Sequence, residues 1–191
     1  MKRRKAIVRM AWLGGGAVAA YSGYKWYSIT KSPDIDFLKN HRNLIAELAD
    51  TIIPPTDSPG AKEAGVHDYI ILMVQECTEK KTQNKFISGL KELIDYTQSQ
   101  YGKSFEQCNH DQRMAVLKYF EETGKNYKGI AGKIVNRYFG KSFFTTLRDY
   151  TAEGYCTSEI GATKGLAYLY IPGKYIGCEP LQQGQKSWAT K

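Results

Sequence analysis

The sequence predicts an all-α protein: a single irregular domain of about six helices, with an N-terminal signal or anchor helix and an irregular C-terminal tail. Apolar residues recur at helical spacing in several segments of the chain. Few segments alternate between apolar and polar residues as half-buried strands do. The 191 residues, 42% of them hydrophobic, suffice for one domain with a core. We therefore divide the chain into a segment 1–31 and a domain 32–191.

The first two helices of the domain are predicted on either side of a turn-rich loop. Apolar positions within 36–53 lie on one helix face, and Pro54 and Pro55 end that helix. Residues 56–60 are dense in turn formers. The second helix, 66–77, is apolar on most sides, so we expect it to lie centrally.

The middle of the chain carries two helices with recognisable ends. A helix is predicted from Lys81 to Tyr101, with Gly102 at the position of a C-cap glycine. Asn109 is predicted to cap the next helix, because Gln112 stands at the capping-box position. That helix is expected to end near residue 124.

In the last third of the chain, the predicted helices are followed by irregular chain. Two helices, 130–139 and 142–155, are expected on either side of Gly140. One short helix is expected after residue 161, through Leu166 and Leu169. From residue 171 onwards, proline and several glycines predict irregular chain.

The net charge of +8 does not indicate a nucleic-acid-binding protein. Residues 1–31 hold seven of the 27 basic residues and no acidic residue. Residues 32–191 hold 20 basic and 19 acidic residues and are nearly neutral. A nucleic-acid partner would require a concentrated basic face on the domain to neutralise phosphates, so we expect none.

The N-terminal segment has the layout of an export signal. A basic head containing Arg3 and Arg4 precedes a short, glycine-rich apolar stretch. Paired arginines ahead of a weakly hydrophobic stretch favour the twin-arginine route, which carries folded proteins. The alternative is a basic amphipathic helix on the protein surface.

Two fates of this segment stay open. Residues 17–19 form an A-x-A pattern, which would allow cleavage after Ala19. Otherwise the segment is an uncleaved anchor, and its aromatic residues would suit a membrane interface. Its apolar run of about 15 residues is shorter than the roughly 20 that span a bilayer.

The four cysteines predict disulfides in an exported protein. None stands in a C-x-x-C motif, which excludes zinc-ribbon and thioredoxin sites, and C-x-x-C-H is absent. We favour the pairs Cys77–Cys108 and Cys156–Cys178 among the three possible connectivities. The alternative is four free thiols.

No catalytic or metal-binding constellation is recognisable in the sequence, and we predict no catalytic, cofactor-binding or metal-binding residue in this chain. The three histidines are not spaced as metal ligands, and there is no phosphate-binding, dinucleotide-binding or nucleophile-elbow motif. His67 is expected to cap or pack the start of a helix. Glu47 and Asp50 are expected to be solvated carboxylates.

Aromatic residues near the C-terminus are the candidate partner interface. The glycine-rich tail is not expected to bury all of these aromatic side chains by itself. Aromatic residues on loops are frequent at protein–protein interfaces. The alternative is that the tail wraps its own domain. The candidate interface residues are Tyr155, Tyr168, Tyr170, Pro172 and Tyr175.

Three stretches resemble the gluconate 2-dehydrogenase subunit 3 family. Residues 44–66 are similar to its opening signature, in which a helix ends in I-I-P and is followed by T-D-S-P-G-A and A-G-V. Residues 153–161, Glu-Gly-Tyr-Cys-Thr-Ser-Glu-Ile-Gly, resemble its later element. Residues 170–180 are similar to its closing segment.

The resemblance implies an accessory role. Members are small subunits of membrane-bound or periplasmic sugar and polyol dehydrogenases, beside a large flavoprotein that binds FAD and oxidises the substrate. A multihaem cytochrome c, with haem c, often completes such complexes. The flavoprotein commonly lacks its own signal and is exported folded with the small subunit. The resemblance thus implies a location in the periplasm or on the periplasmic face of the inner membrane.

Two other functions are considered beside this one. One is an independent exported enzyme, which would require converging titratable groups that the sequence does not offer. The other is an independent membrane-surface or periplasmic binding protein that uses the basic, aromatic N-terminus and has no flavoprotein partner.

Overall fold

The computed structural model describes residues 31–124 and 140–168, together with Gly23, Tyr27, residues 170, 171, 173, 178 and 180, and residues 183–189. The all-α prediction is confirmed over these residues, whose only β feature is an isolated parallel bridge between Ala167 and Trp188. The described stretches contain one short α-helix, α1 (Ile35–Asn40), and five longer ones, which are α2 (Arg42–Ile52), α3 (Val66–Glu76), α4 (Lys80–Tyr101), α5 (His110–Thr123) and α6 (Phe143–Thr157).

The prediction of one continuous helix over 36–53 is wrong, because the chain leaves helical geometry at His41. The backbone of His41 has φ −105° and ψ 27°, and it separates α1 from α2. Its ring Nδ1 lies 2.8 Å from the carbonyl oxygen of Phe37, in the last turn of α1. Apolar spacing does not reveal such a break, because both helices bury residues in the same core.

Both predicted helix ends in the middle of the chain are confirmed. Gly102 ends α4 with φ 66°, a left-handed conformation that glycine adopts without steric cost. At the start of α5, the Asn109 side chain accepts from the backbone N–H of Gln112, and the Gln112 side chain accepts from that of Asn109. These local signals fix where α4 ends and α5 begins.

The segments before and after α6 fit the prediction only in part. Ser142 caps α6 by accepting from the N–H of Thr145. The short helix expected after residue 161 is a single π turn, Gly161–Gly165, and the extended backbone of Leu166 ends it. Leu169 and the predicted helix 130–139 lie outside the described residues.

The core lies between α6 and the other long helices. α6 contacts α2, α3, α4 and α5. Phe143 at its start packs against Phe86 and Phe120, with ring centroids 5.2 and 5.8 Å away. Gly89 lets α4 approach closely, because a Cβ there would come within 2.3 Å of the Cβ of Phe143. As expected, α3 is central: it contacts α2, α4 and α6 and buries Ile70 completely.

The N-terminal segment joins the domain beside the first turns of α4. The Asn84 side chain donates to the carbonyl oxygen of Lys31 at 2.8 Å. Arg3, Arg4 and the cleavage position after Ala19 lie outside the described residues. Over the part of the chain that the structure covers, no helix has both the length and the apolar character needed to span a bilayer.

Candidate functional site

The turn-rich loop between α2 and α3 folds back onto the end of α2. The N–H of Ala61 donates to the carbonyl of Ile53 at 2.9 Å, and Ala61 is completely buried. Gly60 is required by this close approach: a Cβ there would lie 2.6 Å from the carboxylate of Asp50 and 2.8 Å from the backbone nitrogen of Pro55. The loop is therefore held by backbone contacts that only a glycine permits.

Glu47 joins this loop to α5 through two ion pairs. Its carboxylate accepts from Lys62 Nζ at 2.6 Å and from Arg113 Nη1 at 2.5 Å. Arg113 Nη2 also donates to the carbonyl of Glu106 at 2.6 Å. The Glu47 side chain is only 17% exposed, so its expected role as a solvated carboxylate is wrong. Asp50 likewise accepts from the backbone N–H of Lys62 at 3.2 Å.

Burial and ion pairing have opposite effects on the pKa of Glu47. Partial burial acts to raise the pKa of its carboxyl group. The hydrogen bonds and positive charges of Lys62 and Arg113 act in the other direction and outweigh burial, so the pKa of Glu47 lies below its usual value. The carboxylate therefore stays ionised and acts as a structural link.

Tyr155 joins the two motif regions that lie far apart in sequence. It is buried, and its hydroxyl donates to the carbonyl oxygen of Pro59 at 2.8 Å. The π turn packs on the same ring, because a Cβ on Gly165 would come within 2.4 Å of the Tyr155 hydroxyl oxygen. Ser158 Oγ donates to the carbonyl of Tyr155 and accepts from the N–H of Gly161. We call the contact of loop 54–65 with Tyr155 and the π turn the motif junction.

Burial removes Tyr155 from the candidate partner interface. The predicted interface grouped this residue with the tail aromatics, although the residue also ended the predicted helix 142–155, and the structure places it in the last turn of α6. Only 6% of Tyr155 is exposed, so it binds its own domain and offers no surface to another protein.

His67 lies at the start of α3 next to an exposed ion pair, and it is buried as expected for a residue that packs a helix start. Arg42 donates to both carboxylate oxygens of Asp68, at 2.6 and 2.7 Å. Asp68 also lies 3.6 Å from His67 Nε2, and burial holds the pKa of His67 below its ordinary value despite this neighbour. The positive charges of Arg42 and Lys62 lower the pKa of His67 further, so its surroundings favour the neutral imidazole.

The described stretches contain no group of three or more His, Cys, Asp and Glu side chains that could hold a metal ion. The carboxylates of Glu47 and Asp68 both face cations. The motif junction holds loop 54–65 against the end of α6 and the π turn.

Large exposed apolar side chains collect immediately after the motif junction. Residues 187–189 return to pair with Ala167, whose N–H donates to Ser187 and whose carbonyl accepts from Ala189. The exposed fractions are large: 46% for Tyr168, 84% for Tyr170, 74% for Ile171 and 54% for Trp188. We call these four residues the tail patch. Pro172 and Tyr175, also predicted for the interface, lie outside the described residues.

The four cysteines are free thiols in the structure. Cys77 lies beside the first turn of α4, since the Gln83 side chain donates to the carbonyls of Val74 and Gln75. Cys108 follows the other end of this 22-residue helix, which is about 33 Å long. A disulfide requires Cα atoms within about 7 Å, and the Cys77–Cys108 pair, whose thiols are free in this structure, stays a prediction.

The second predicted pair stays a prediction. Cys156 in the last turn of α6 and Cys178 in the tail are both exposed. Free-thiol titration of the isolated protein, before and after reduction, would count any disulfide that forms.

Two parts of the site escaped the sequence analysis. Glu47 stands three residues after Leu44 and four before Thr51, and both are buried, so its helical position signalled a carboxylate facing the interior. Ile171 and Trp188 were missing from the predicted interface. The signal for them was a large apolar side chain in a tail without a helix to bury it.

Comparison with known proteins identifies the family. Residues 39–173 match the family described as gluconate 2-dehydrogenase subunit 3. This match spans more than half of the 191 residues and includes loop 54–65 and the end of α6. The chain therefore belongs to this family, as its motifs had indicated. Comparisons with curated proteins and with solved structures gave no match.

Proposed function

We propose that this chain, as a member of the gluconate 2-dehydrogenase subunit 3 family, is the non-catalytic small subunit of an exported flavin-dependent sugar or polyol dehydrogenase complex. In this role it binds the FAD-bearing large subunit, stabilises it and helps to export it. FAD belongs to the partner, and a cytochrome c with haem c can serve as a third subunit.

The main structural support for the proposal is the exposure of the tail patch. A monomeric domain seldom leaves several neighbouring large apolar side chains in water without a binding role. The motif junction packs on the π turn, Gly161–Gly165, which precedes Tyr168, Tyr170 and Ile171 in the chain. An exposed aromatic surface suits the binding of a second protein.

The proposed export route rests on the N-terminal segment. Seven basic residues without an acidic one, with Arg3 and Arg4 adjacent, fit a twin-arginine signal. An FAD-containing partner must fold before it crosses the membrane, and the twin-arginine route carries folded proteins. The complex would then reside in the periplasm or on the periplasmic face of the inner membrane.

Isolation from the native cell tests the subunit role. The chain, tagged at its C-terminus, is purified in mild detergent, and the absorbance spectrum and the masses of bound proteins are recorded. The proposal expects a flavin spectrum and a partner the size of a dehydrogenase. A colourless, solitary chain would contradict it and favour the independent binding protein.

A conservative double substitution tests the export route. Arg3→Lys combined with Arg4→Lys keeps the charge of the segment but removes the arginine pair. We expect both this chain and its flavoprotein to accumulate in the cytoplasm. The paired substitution Lys2→Arg and Lys5→Arg is the matched control and should leave export unchanged. Normal export of the Arg3→Lys, Arg4→Lys variant would contradict the twin-arginine route.

A further inference from the structure

The tail patch is bordered by positive charge. Lys164 lies in the π turn and Lys186 lies two residues before Trp188, and both side chains are exposed. The ammonium group of Lys186 donates to the carbonyl oxygen of Lys164 at 2.6 Å, which places the two lysines next to each other. Residues 161–191 contain four lysines and a single acidic residue, Glu179. The patch thus combines exposed aromatic rings with a basic rim.

The charge of the chain disfavours its own segments as occupants of this patch. Residues 1–31 carry seven basic residues and no acidic one. Residues 125–139 carry four basic residues, Lys125, Lys128, Lys133 and Arg137, and again no acidic one. Either segment would bring like charge against Lys164 and Lys186, which opposes association.

A second copy of the chain is disfavoured for the same reason. A two-fold dimer formed through the tail patch would place the same surface on both sides of the interface. The lysines of one copy would then face the lysines of the other, with only Glu179 in either tail to offset them. An acidic surface on a different protein avoids this repulsion.

We infer that the tail patch, Tyr168, Tyr170, Ile171 and Trp188 with Lys164 and Lys186 at its rim, is the docking surface for an apolar recess with an acidic border on the flavoprotein subunit. This inference rests on the proposed function and specifies the surface that performs it. Aromatic side chains supply contact area at the centre, and the lysines orient the partner. The motif junction packs on the π turn that carries Lys164 and precedes the patch in the chain.

Substitutions on the patch and on a matched surface test the inference. Tyr170→Ser with Ile171→Ser removes two of the most exposed apolar side chains of the patch, whereas Leu72→Ser removes an apolar side chain of α3 that is 56% exposed. Each tagged chain is isolated from the native cell, and the bound flavoprotein is quantified. We expect the patch variant to lose about tenfold or more of the partner and the Leu72 variant to retain it.

Charge reversal tests the acidic border. Lys164→Glu reverses a charge at the rim, and Lys118→Glu makes the same change on the exposed face of α5. We expect Lys164→Glu to weaken binding of the flavoprotein several-fold at low salt and less at high salt. Lys118→Glu should bind like the unmodified chain.

The outcomes separate the docking surface from the proposed function. If the unmodified chain carries a flavoprotein and the patch variant retains it fully, the inference is wrong and the subunit role stands. If the unmodified chain carries no flavoprotein, both are wrong. If the patch binds a second copy of this chain, seen as a dimer that the patch substitutions dissociate, the assignment of the partner is overturned. Equal thermal unfolding midpoints of all variants show that the losses do not arise from unfolding.

Discussion

The motif junction and the tail patch both contain tyrosines from the C-terminal third of the chain, yet they use them in opposite ways. Tyr155 in the junction is 6% exposed, and its hydroxyl bonds to the loop between α2 and α3. Tyr170, only 15 positions later in the sequence, is 84% exposed. The difference teaches that residue type alone does not decide the role of a tyrosine in this chain. The packing of α6 buries Tyr155, whereas Tyr170 lies outside the described helices and stays exposed.

The largest expected contrast concerns truncation of the two tyrosines. Tyr155→Ala removes a buried ring and a hydrogen bond, and should lower the free energy of unfolding by about 3–5 kcal/mol. Tyr170→Ala, in the patch, should change it by less than about 0.5 kcal/mol. Urea unfolding of the two variants measures both values. Similar losses would show that Tyr170 is part of the folded core.

The ion pairs of Glu47 should give the next largest effect. Glu47→Ala leaves Lys62 and Arg113 without their carboxylate, and the Arg113 side chain is only 20% exposed. We expect a loss of about 1–3 kcal/mol in unfolding free energy. Glu121→Ala, on the exposed face of α5, is the control and should have little effect. If Glu47→Ala is as stable as this control, the ion pairs of Glu47 contribute no more to stability than ordinary surface contacts do.

Lowering the pH should weaken the same ion pairs of Glu47, with a smaller effect on the free energy of unfolding. The pKa of Glu47 is lower in the folded chain than its ordinary value of 4.5, because the hydrogen bonds from Lys62 and Arg113 outweigh burial. The carboxylate therefore stabilises the fold above pH 4.5, and this stabilisation is lost as pH falls through the lower, folded-state pKa. Unfolding free energy measured from pH 7 downwards should fall less steeply for Glu47→Gln than for the unmodified chain. Identical slopes would contradict the lowered pKa.

The smallest expected effect on stability belongs to the double substitution in the tail patch. Tyr170→Ser with Ile171→Ser changes side chains that are mostly in water, so the unfolding free energy should shift by less than about 0.5 kcal/mol. The binding of the flavoprotein should nevertheless fall, because the substitutions remove apolar contact area from the inferred docking surface. A large loss of stability would mean that the patch packs against its own domain. Denaturant unfolding of the isolated variant gives this value.

Local signals in the sequence predicted much of the fold. Gly102 marks the end of α4, and the Asn109–Gln112 capping box marks the start of α5, because each feature acts within a few residues. The break at His41 was missed, since the apolar spacing continues through it. The motif junction could not be predicted, because Tyr155 and Pro59 are 96 residues apart and only tertiary packing joins them.

For the candidate site too, the sequence predicted local features but not the contacts between residues that are distant in the chain. The sequence identified exposed aromatic residues of the tail, Tyr168 and Tyr170, from their surroundings of glycine and proline. It did not place Trp188 beside them, since the bridge to Ala167 joins positions 21 residues apart. It also treated Glu47 as solvated, because its cations come from the following loop and from α5.

The dependence of the flavoprotein on this chain tests the central proposal most directly. Cells lacking the chain are compared with cells that carry it, and the periplasmic and membrane fractions are assayed for the partner protein, its bound flavin and its dehydrogenase activity. We expect all three to be lost from these fractions and to return when the chain is supplied again. A flavoprotein that reaches these fractions in normal amount, loaded with flavin, without this chain would contradict the proposed role.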